Sequence, residues 1–137
     1  MAIAHNKTYK KIQIIQSKLL KLLLSKDPRT STNELHKFMN ILKVKDIQNA
    51  NIVCFVKNCL IKNCPTQFND YYTNHTTQYA IRNPSLNVMR SRTQFGSLSI
   101  KITGAKLWNH LPNCIKEKKE QLNFRKIICK HYISNYT

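Results

Sequence analysis

Glycine, proline and acidic residues are scarce in this sequence. Its 137 residues include only 2 Gly, 4 Pro and 6 Asp+Glu. Neither glycine lies in a GxGxxG or a GxxxxGK pattern, which excludes the two common phosphate-binding loops. The low Gly and Pro content also argues against low-complexity linkers, and 42% hydrophobic residues are enough for a folded core. The length suits one domain, residues 1–137.

Long apolar segments are also absent. No stretch approaches the ~20 apolar residues that a membrane span needs. No apolar run follows Met1 before the first lysines, so the sequence start does not resemble a secretory signal. The number of cysteines is odd, at five, and without a signal this predicts reduced thiols and an intracellular location.

Residues for metal binding or catalysis are not arranged in any known pattern. Cys54, Cys59 and Cys64 are five positions apart, which distributes them around a helix, and no CxxC or HxxxH occurs. The aspartates occupy separate segments at cap or turn positions. The sequence therefore predicts no metal, no cofactor and no catalytic residue.

Positive charge is the strongest feature. The 23 Lys+Arg residues give a formal net charge of +17, and no acid occurs from Tyr71 to Lys116. Such a charge predicts attraction to polyanions such as RNA and DNA. The alternative is a lysine-rich surface that only keeps the protein soluble.

Apolar periodicity predicts an α+β fold that is predominantly helical, with about five helices and one small β-hairpin near residues 86–102. The helices are expected near the ranges 6–26, 31–42, 46–64, 103–110 and 119–136. The hairpin rests on the alternating apolar residues from Ser97 to Ile102, with Gly96 as a turn before them. The third helix is apolar almost all round, so we expect it at the centre of the core.

The first helix is amphipathic and basic. Ile12, Ile15, Leu19, Leu22 and Leu23 share one stripe, beside a stripe of lysines. We expect the apolar stripe to face the core. The alternative is a helix that lies on an anionic membrane, which would show as liposome binding that needs Leu19 and Leu22. If the stripe faces the core, the helix has no apolar surface for a membrane, so we expect no membrane partner.

The acid-free region supplies the candidate binding residues. Arginine and lysine neutralise phosphates, and aromatic rings such as those of Tyr79 and Phe95 stack on unpaired bases. The candidate nucleic-acid-binding residues are Arg82, Arg90, Arg92, Lys101 and Lys106.

One stretch of the sequence resembles a known motif. Arg92–Ile100 reads RTQFGSLSI, and Gly104–Pro112 reads GAKLWNHLP. Together they resemble the signature near the C-terminus of reverse transcriptases from non-LTR (LINE-like, jockey-type) retrotransposons. Weaker similarity extends to Tyr79–Asn83 and Phe124–Ile127, although Ile81 stands where the family usually has Thr.

The resemblance implies a fragment downstream of the polymerase palm and thumb. The family's activity is RNA-directed DNA synthesis, but its paired catalytic aspartates lie outside this region, and no adjacent acidic pair occurs here. We therefore expect a non-catalytic accessory domain that binds element RNA or target DNA without strong sequence preference, and that contacts the rest of the polymerase in the nucleus. The alternative is a structural module that packs on the thumb and has no ligand.

The signature residues themselves have structural explanations. We expect Gly96 and Gly104 to form turns, Trp108 to fill the core, and Leu111 and Pro112 to end a short helix. Asn109 completes the structural signature, which consists of Gly96, Gly104, Trp108, Asn109, Leu111 and Pro112.

Overall fold

The computed structural model describes residues 6–74, 85–117 and 121–136, and this part of the chain is predominantly helical. The helices within it are α1 (Asn6–Leu23), α2 (Thr32–Phe38), α3 (Val44–Leu60), α4 (Gln94–Ser97), α5 (Ile100–His110), α6 (Asn113–Lys116) and α7 (Gln121–Ser134). A 3₁₀ turn occupies Thr66–Phe68. The five predicted helices correspond to α1, α2, α3, α5 and α7, so the predominantly helical class is confirmed.

The predicted β-hairpin near residues 86–102 is wrong. Its second strand is replaced by α4 and by the first turn of α5, because Ser99 caps α5 by accepting a hydrogen bond from the backbone N–H of Ile102 (3.5 Å). A short alternation of apolar residues fits either a strand or a helix, and here the cap favours the helix. The described residues contain one isolated antiparallel bridge, between Asn74 and Leu86.

The described residues form two compact units. The first unit comprises residues 51–74 with 85–117, and the second comprises residues 6–50 with 121–136. The division falls within α3, between Ala50 and Asn51. This division does not test the prediction that residues 1–137 form a single domain, which stays a prediction.

The core of the first unit is built on the C-terminal part of α3. Val53 and Val56 are completely buried there, as the apolar pattern predicts. The other buried apolar side chains of this unit are Ile52, Cys59, Tyr72, Leu86, Ile102, Ala105, Trp108, Leu111 and Ile115. Phe55 and Phe68 add an edge-to-face ring pair with centroids 5.3 Å apart.

The core of the second unit lies where α2 contacts α1 and α7. Its buried side chains are Leu20, Leu35, His36, Ala50, Phe124, Ile128 and Tyr136. Tyr136 joins the two ends of this unit: its hydroxyl donates to Asp46 Oδ2 (2.7 Å) and accepts from the backbone N–H of Lys43 (3.0 Å). The fold therefore ties the end of α7 to the start of α3.

The apolar stripe of α1 faces solvent, which contradicts the prediction that it faces the core. Ile12, Ile15, Leu19, Leu22 and Leu23 are all exposed, and Leu20 is the buried residue among the side chains described for positions 8–23. Periodicity shows which side chains share a face but does not show which face packs inward.

Candidate nucleic-acid interface

Two of the predicted binding residues lie in a hydrogen-bonded turn before α4. Arg90 and Arg92 are exposed on either side of Ser91. The Ser91 hydroxyl donates to the carbonyl of Thr93 (2.9 Å) and accepts from its backbone N–H (3.3 Å). Thr93 then caps α4 by accepting from the N–H of Gly96 (3.0 Å). These local bonds hold the backbone between the two arginines, while both guanidinium groups remain available to solvent.

An exposed aromatic ring follows the arginines. Phe95 lies in the first turn of α4, and 70% of its surface is exposed. Met89 and Leu98, on either side of it in the sequence, are also exposed. A phenyl ring this exposed loses the stabilisation that burial provides, which amounts to about 1.5–3 kcal/mol. A ring between cations in an acid-free region has the chemistry to stack on an unpaired base.

The two predicted lysines lie on α5 but do not share a face. Five positions separate Lys101 from Lys106, so their side chains point about 140° apart around the helix. The Lys101 ammonium lies over the ring of Tyr71, 5.2 Å from its centroid, and Lys106 is exposed. Arg82 and its neighbour Tyr79 lie outside the described residues. The structure therefore places Arg90, Arg92 and Phe95 in one short segment and distributes the lysines elsewhere.

The two glycines of the signature are not turn residues. Both lie in helices, and neither has a positive φ. A Cβ at Gly104 would overlap Tyr72 Oη and lie 2.8 Å from Val56 Cγ2, so α5 approaches α3 too closely for any side chain. A Cβ at Gly96 would overlap Ser91 Oγ. Close approach, and not backbone conformation, accounts for glycine at both positions.

Asn109 holds an extended segment against α5. Its side-chain Oδ1 accepts from the backbone N–H of Leu86 (2.8 Å), and its Nδ2 donates to the Leu86 carbonyl (3.0 Å). This pair of hydrogen bonds resembles the backbone pairing between two β-strands. Trp108 beside it is buried, as predicted, and so is Leu111. Leu111 ends α5 and Pro112 precedes α6, which agrees with the predicted helix end.

Ionisable groups in the first unit are tuned by burial and do not form a reactive pair. Burial raises the pKa of the Cys59 thiol to about 12, with a further increase from neighbouring Cys64. Burial also raises the pKa of Tyr72, whose hydroxyl donates to the carbonyl of Ile100 (2.9 Å). A raised pKa keeps both groups protonated, so neither is an activated nucleophile.

Sequence reasoning missed a second basic surface, which lies in the second unit. A cavity of about 480 Å³ is lined by Asn40, Leu42, Arg125, Lys126, Cys129, Lys130 and Ile133. Three of these residues are cations on α7, and they face a loop that lies more than 80 positions earlier. The sequence shows the spacing of these cations along α7. It does not show that Leu42, from the loop after α2, lines the same cavity.

Neither a metal-binding cluster nor a membrane-spanning helix is found among the residues that the structure describes. Within the ranges 6–74, 85–117 and 121–136, no three His, Cys, Asp or Glu residues are grouped as metal ligands would be. All five cysteines are free thiols. Over the same residues, no helix combines the length and the apolar character required to cross a bilayer.

Comparison with known proteins finds no matching family model, no similar curated protein and no matching solved structure.

Proposed function

We propose that this chain is a non-catalytic module that binds RNA or DNA without strong sequence preference, and that it derives from the C-terminal region of a non-LTR retrotransposon reverse transcriptase. The family assignment rests on the signature in residues 92–112. The binding assignment rests on the exposed surface that the same residues form. Element RNA or target DNA in the nucleus is the ligand that such a module would meet.

The exposure of Phe95 is the observation that carries the proposal. Phe95 is 70% exposed, whereas phenylalanine side chains are most often buried. It follows Arg92 by three residues, in a segment held by the bonds of Ser91 and Thr93. A ring and a cation on a rigid segment have the two properties that binding of single strands requires.

Each side chain has a distinct role in this proposal. The guanidinium groups of Arg90 and Arg92 contact phosphates and release counterions, which gives affinity without base recognition. Phe95 stacks on one base of any type, because every base has a π face. Lys106 and the cations around the cavity of the second unit add long-range attraction. These contacts predict salt-sensitive binding with little sequence preference.

A single substitution tests the stacking role. Phe95→Ala should weaken binding of a labelled single-stranded RNA by about tenfold, because stacking on one base contributes roughly 1–3 kcal/mol. Binding of duplex DNA should change far less, since its bases are already stacked. The readout is fluorescence anisotropy at fixed salt.

Phe38→Ala is the matched control for this test. Phe38 is 78% exposed, but it lies at the end of α2 in the second unit. Its removal should leave RNA affinity unchanged. Equal effects of the two substitutions on RNA binding would contradict the stacking role of Phe95.

The alternative is a structural module that packs on the polymerase and has no ligand of its own. The exposed apolar side chains of Met89, Phe95 and Leu98 favour it, because such a group also suits a protein interface. This alternative requires that the folded chain bind neither RNA nor DNA near physiological salt. It also requires that Arg90 and Arg92 contribute nothing to nucleic-acid affinity.

A further inference from the structure

One face of α1 is apolar and exposed to solvent. Its side chains are between 44% and 76% exposed, and they are Ile12, Ile15, Leu19, Leu22 and Leu23. They recur over a length of about 17 Å along the helix, given a rise of 1.5 Å per residue. A continuous aliphatic surface of this kind marks a binding face.

Hydrogen bonds on the neighbouring side of α1 keep this face outward. Gln13 Oε1 accepts from the backbone N–H of Val44 (2.9 Å), and Gln16 Nε2 donates to the carbonyl of Leu42 (2.9 Å). Leu20, on the same side, is buried. Rotating the helix to bury its leucines would break both bonds and would expose Leu20. The outward position of the apolar face is therefore a consequence of how the helix is attached.

The charged residues beside this face are all basic. Within α1 the charged residues are lysines, without a single acid. The pattern of 3.6 residues per turn places Lys11 and Lys18 along one border of the apolar face. At its C-terminal end lies a cavity of about 490 Å³, whose lining residues are Lys18, Lys21, Leu22, Ser25, Lys26 and Pro28. Leu22 belongs to both features, and the wall of the cavity is mainly aliphatic, so the apolar surface of the helix continues into the cavity.

We propose that α1 is an interfacial helix that binds the surface of an anionic phospholipid bilayer. Its isoleucines and leucines enter the boundary of the acyl chains, and its lysines contact headgroup phosphates. The expectation of no membrane partner depended on a core-facing stripe, and that stripe faces solvent. This inference is independent of the nucleic-acid proposal.

The composition of the face favours lipid over other partners. Protein interfaces are enriched in aromatic residues, Met and Arg and are depleted of Lys, whereas this face combines Ile and Leu with Lys. A nucleic-acid backbone offers nothing apolar for five aliphatic side chains. A second copy of the chain would bring two lysine rows together. An anionic bilayer matches both the aliphatic and the cationic part.

Vesicle flotation with the full chain tests the proposal. The vesicles are phosphatidylcholine alone, and phosphatidylcholine with 30% phosphatidylserine, at low and physiological salt. We expect binding to the anionic vesicles only. Leu19→Gln with Leu22→Gln should reduce the partition coefficient by at least about tenfold, because two leucines no longer enter the acyl region. Lys11→Gln with Lys18→Gln should also reduce it, by about tenfold or more.

A matched control separates insertion from simple charge attraction. Ile61→Gln with Met89→Gln removes two exposed apolar side chains of the first unit and should leave vesicle binding unchanged. Circular dichroism confirms that every variant is folded. Since a protein of charge +17 adsorbs to any anionic surface, equal vesicle binding by the Leu19/Leu22 variant and the parent would overturn the proposal.

Two other results would also overturn it. The first is a dimer, seen by sedimentation, that the Leu19/Leu22 substitutions abolish, because the face would then bind a second copy of the chain. The second is a loss of RNA affinity in the same variant without a change in vesicle binding, because the face would then belong to the nucleic-acid interface.

Discussion

The side-chain amide of Asn109 pairs with both backbone polar groups of Leu86, at 2.8 and 3.0 Å. This contact connects α5 to the segment that leads into the arginines of the candidate interface. The next residue, Asn87, donates its backbone N–H to the carbonyl of Thr73 (2.9 Å) across the bridge between Asn74 and Leu86, so this segment is held on two sides. The Trp-Asn pair of the signature thus has two structural roles: Trp108 fills the core, and Asn109 positions the segment beside it.

Asn109→Ala should destabilise the first unit by about 1–3 kcal/mol, because it leaves a buried backbone N–H and a carbonyl without partners. Urea unfolding followed by circular dichroism measures the change. Asn87→Ala is the control, since the side chain of Asn87 is exposed and its backbone N–H bonds to Thr73. An Asn109 variant as stable as the Asn87 variant would contradict the positioning role.

Gly104→Ala should destabilise the protein by about 1–3 kcal/mol, because the new methyl group overlaps Tyr72 Oη and crowds Val56. Ordinary helix propensity predicts the opposite sign, since alanine is the better helix former. The measurement is again urea unfolding. In a Tyr72→Phe background the clash with the hydroxyl disappears, so the cost of Gly104→Ala should fall. An undiminished cost there would contradict this explanation of the glycine.

His36 should make the second unit less stable in mild acid. Its ring is completely buried, with Nδ1 3.0 Å from the carbonyl of Ile41 and Nε2 3.4 Å from Gln13 Nε2. The neutral ring, protonated at Nδ1, satisfies both contacts. Burial lowers the pKa of His36 below its ordinary value of 6.5, and nearby Lys43 lowers this pKa further, while the bond to Ile41 and nearby Asp46 act in the opposite direction.

The sign of the effect follows from proton uptake. Below about pH 6.5 the unfolded chain binds a proton at His36 that the folded chain does not bind, so stability falls as the pH decreases, by at most about 1.4 kcal/mol per unit. Urea unfolding between pH 5 and 7.5 measures this slope. His110→Gln, at an exposed position, should keep it, and His36→Gln should reduce it. A ring that titrates above 6.5 by NMR would contradict the prediction.

The sequence predicted the cores better than the surfaces. The apolar run of α3 predicted a central helix, and Val53 and Val56 are indeed buried; Phe124 and Ile128 of α7 are buried in the same way. A helix that is apolar on all sides is stable only in the core. Its burial can therefore be predicted without knowing which distant residues it contacts.

The failures have a common physical cause. The orientation of α1 depends on bonds from Gln13 to Val44 and from Gln16 to Leu42, which join positions 26 or more apart. Local periodicity contains no information about such pairs. The false strand after Gly96 failed for a related reason, because a single serine cap decides between two conformations that the apolar pattern allows equally.

The candidate interface was predictable only in part. Arg90 and Arg92 were identified from the acid-free region and its aromatic residues, and the structure leaves both exposed. The sequence left open whether Phe95 stacks on a base or packs inside the protein, because most phenylalanines are buried. Lys101 was selected on charge, but its ammonium lies over the ring of Tyr71, a contact that joins positions 30 apart in the chain.

Nucleic-acid affinity across a salt series tests the central claim most directly. Fluorescence anisotropy with labelled single-stranded RNA and duplex DNA should show micromolar binding, and the log–log slope against salt should be several units. Arg90→Gln with Arg92→Gln should reduce that slope by about 1.5, since each arginine neutralises about one phosphate. Lys37→Gln with Lys45→Gln removes the same charge from exposed positions of the second unit and should leave the slope unchanged. Negligible binding by the folded protein near physiological salt, or equal slopes for the two double variants, would contradict the account.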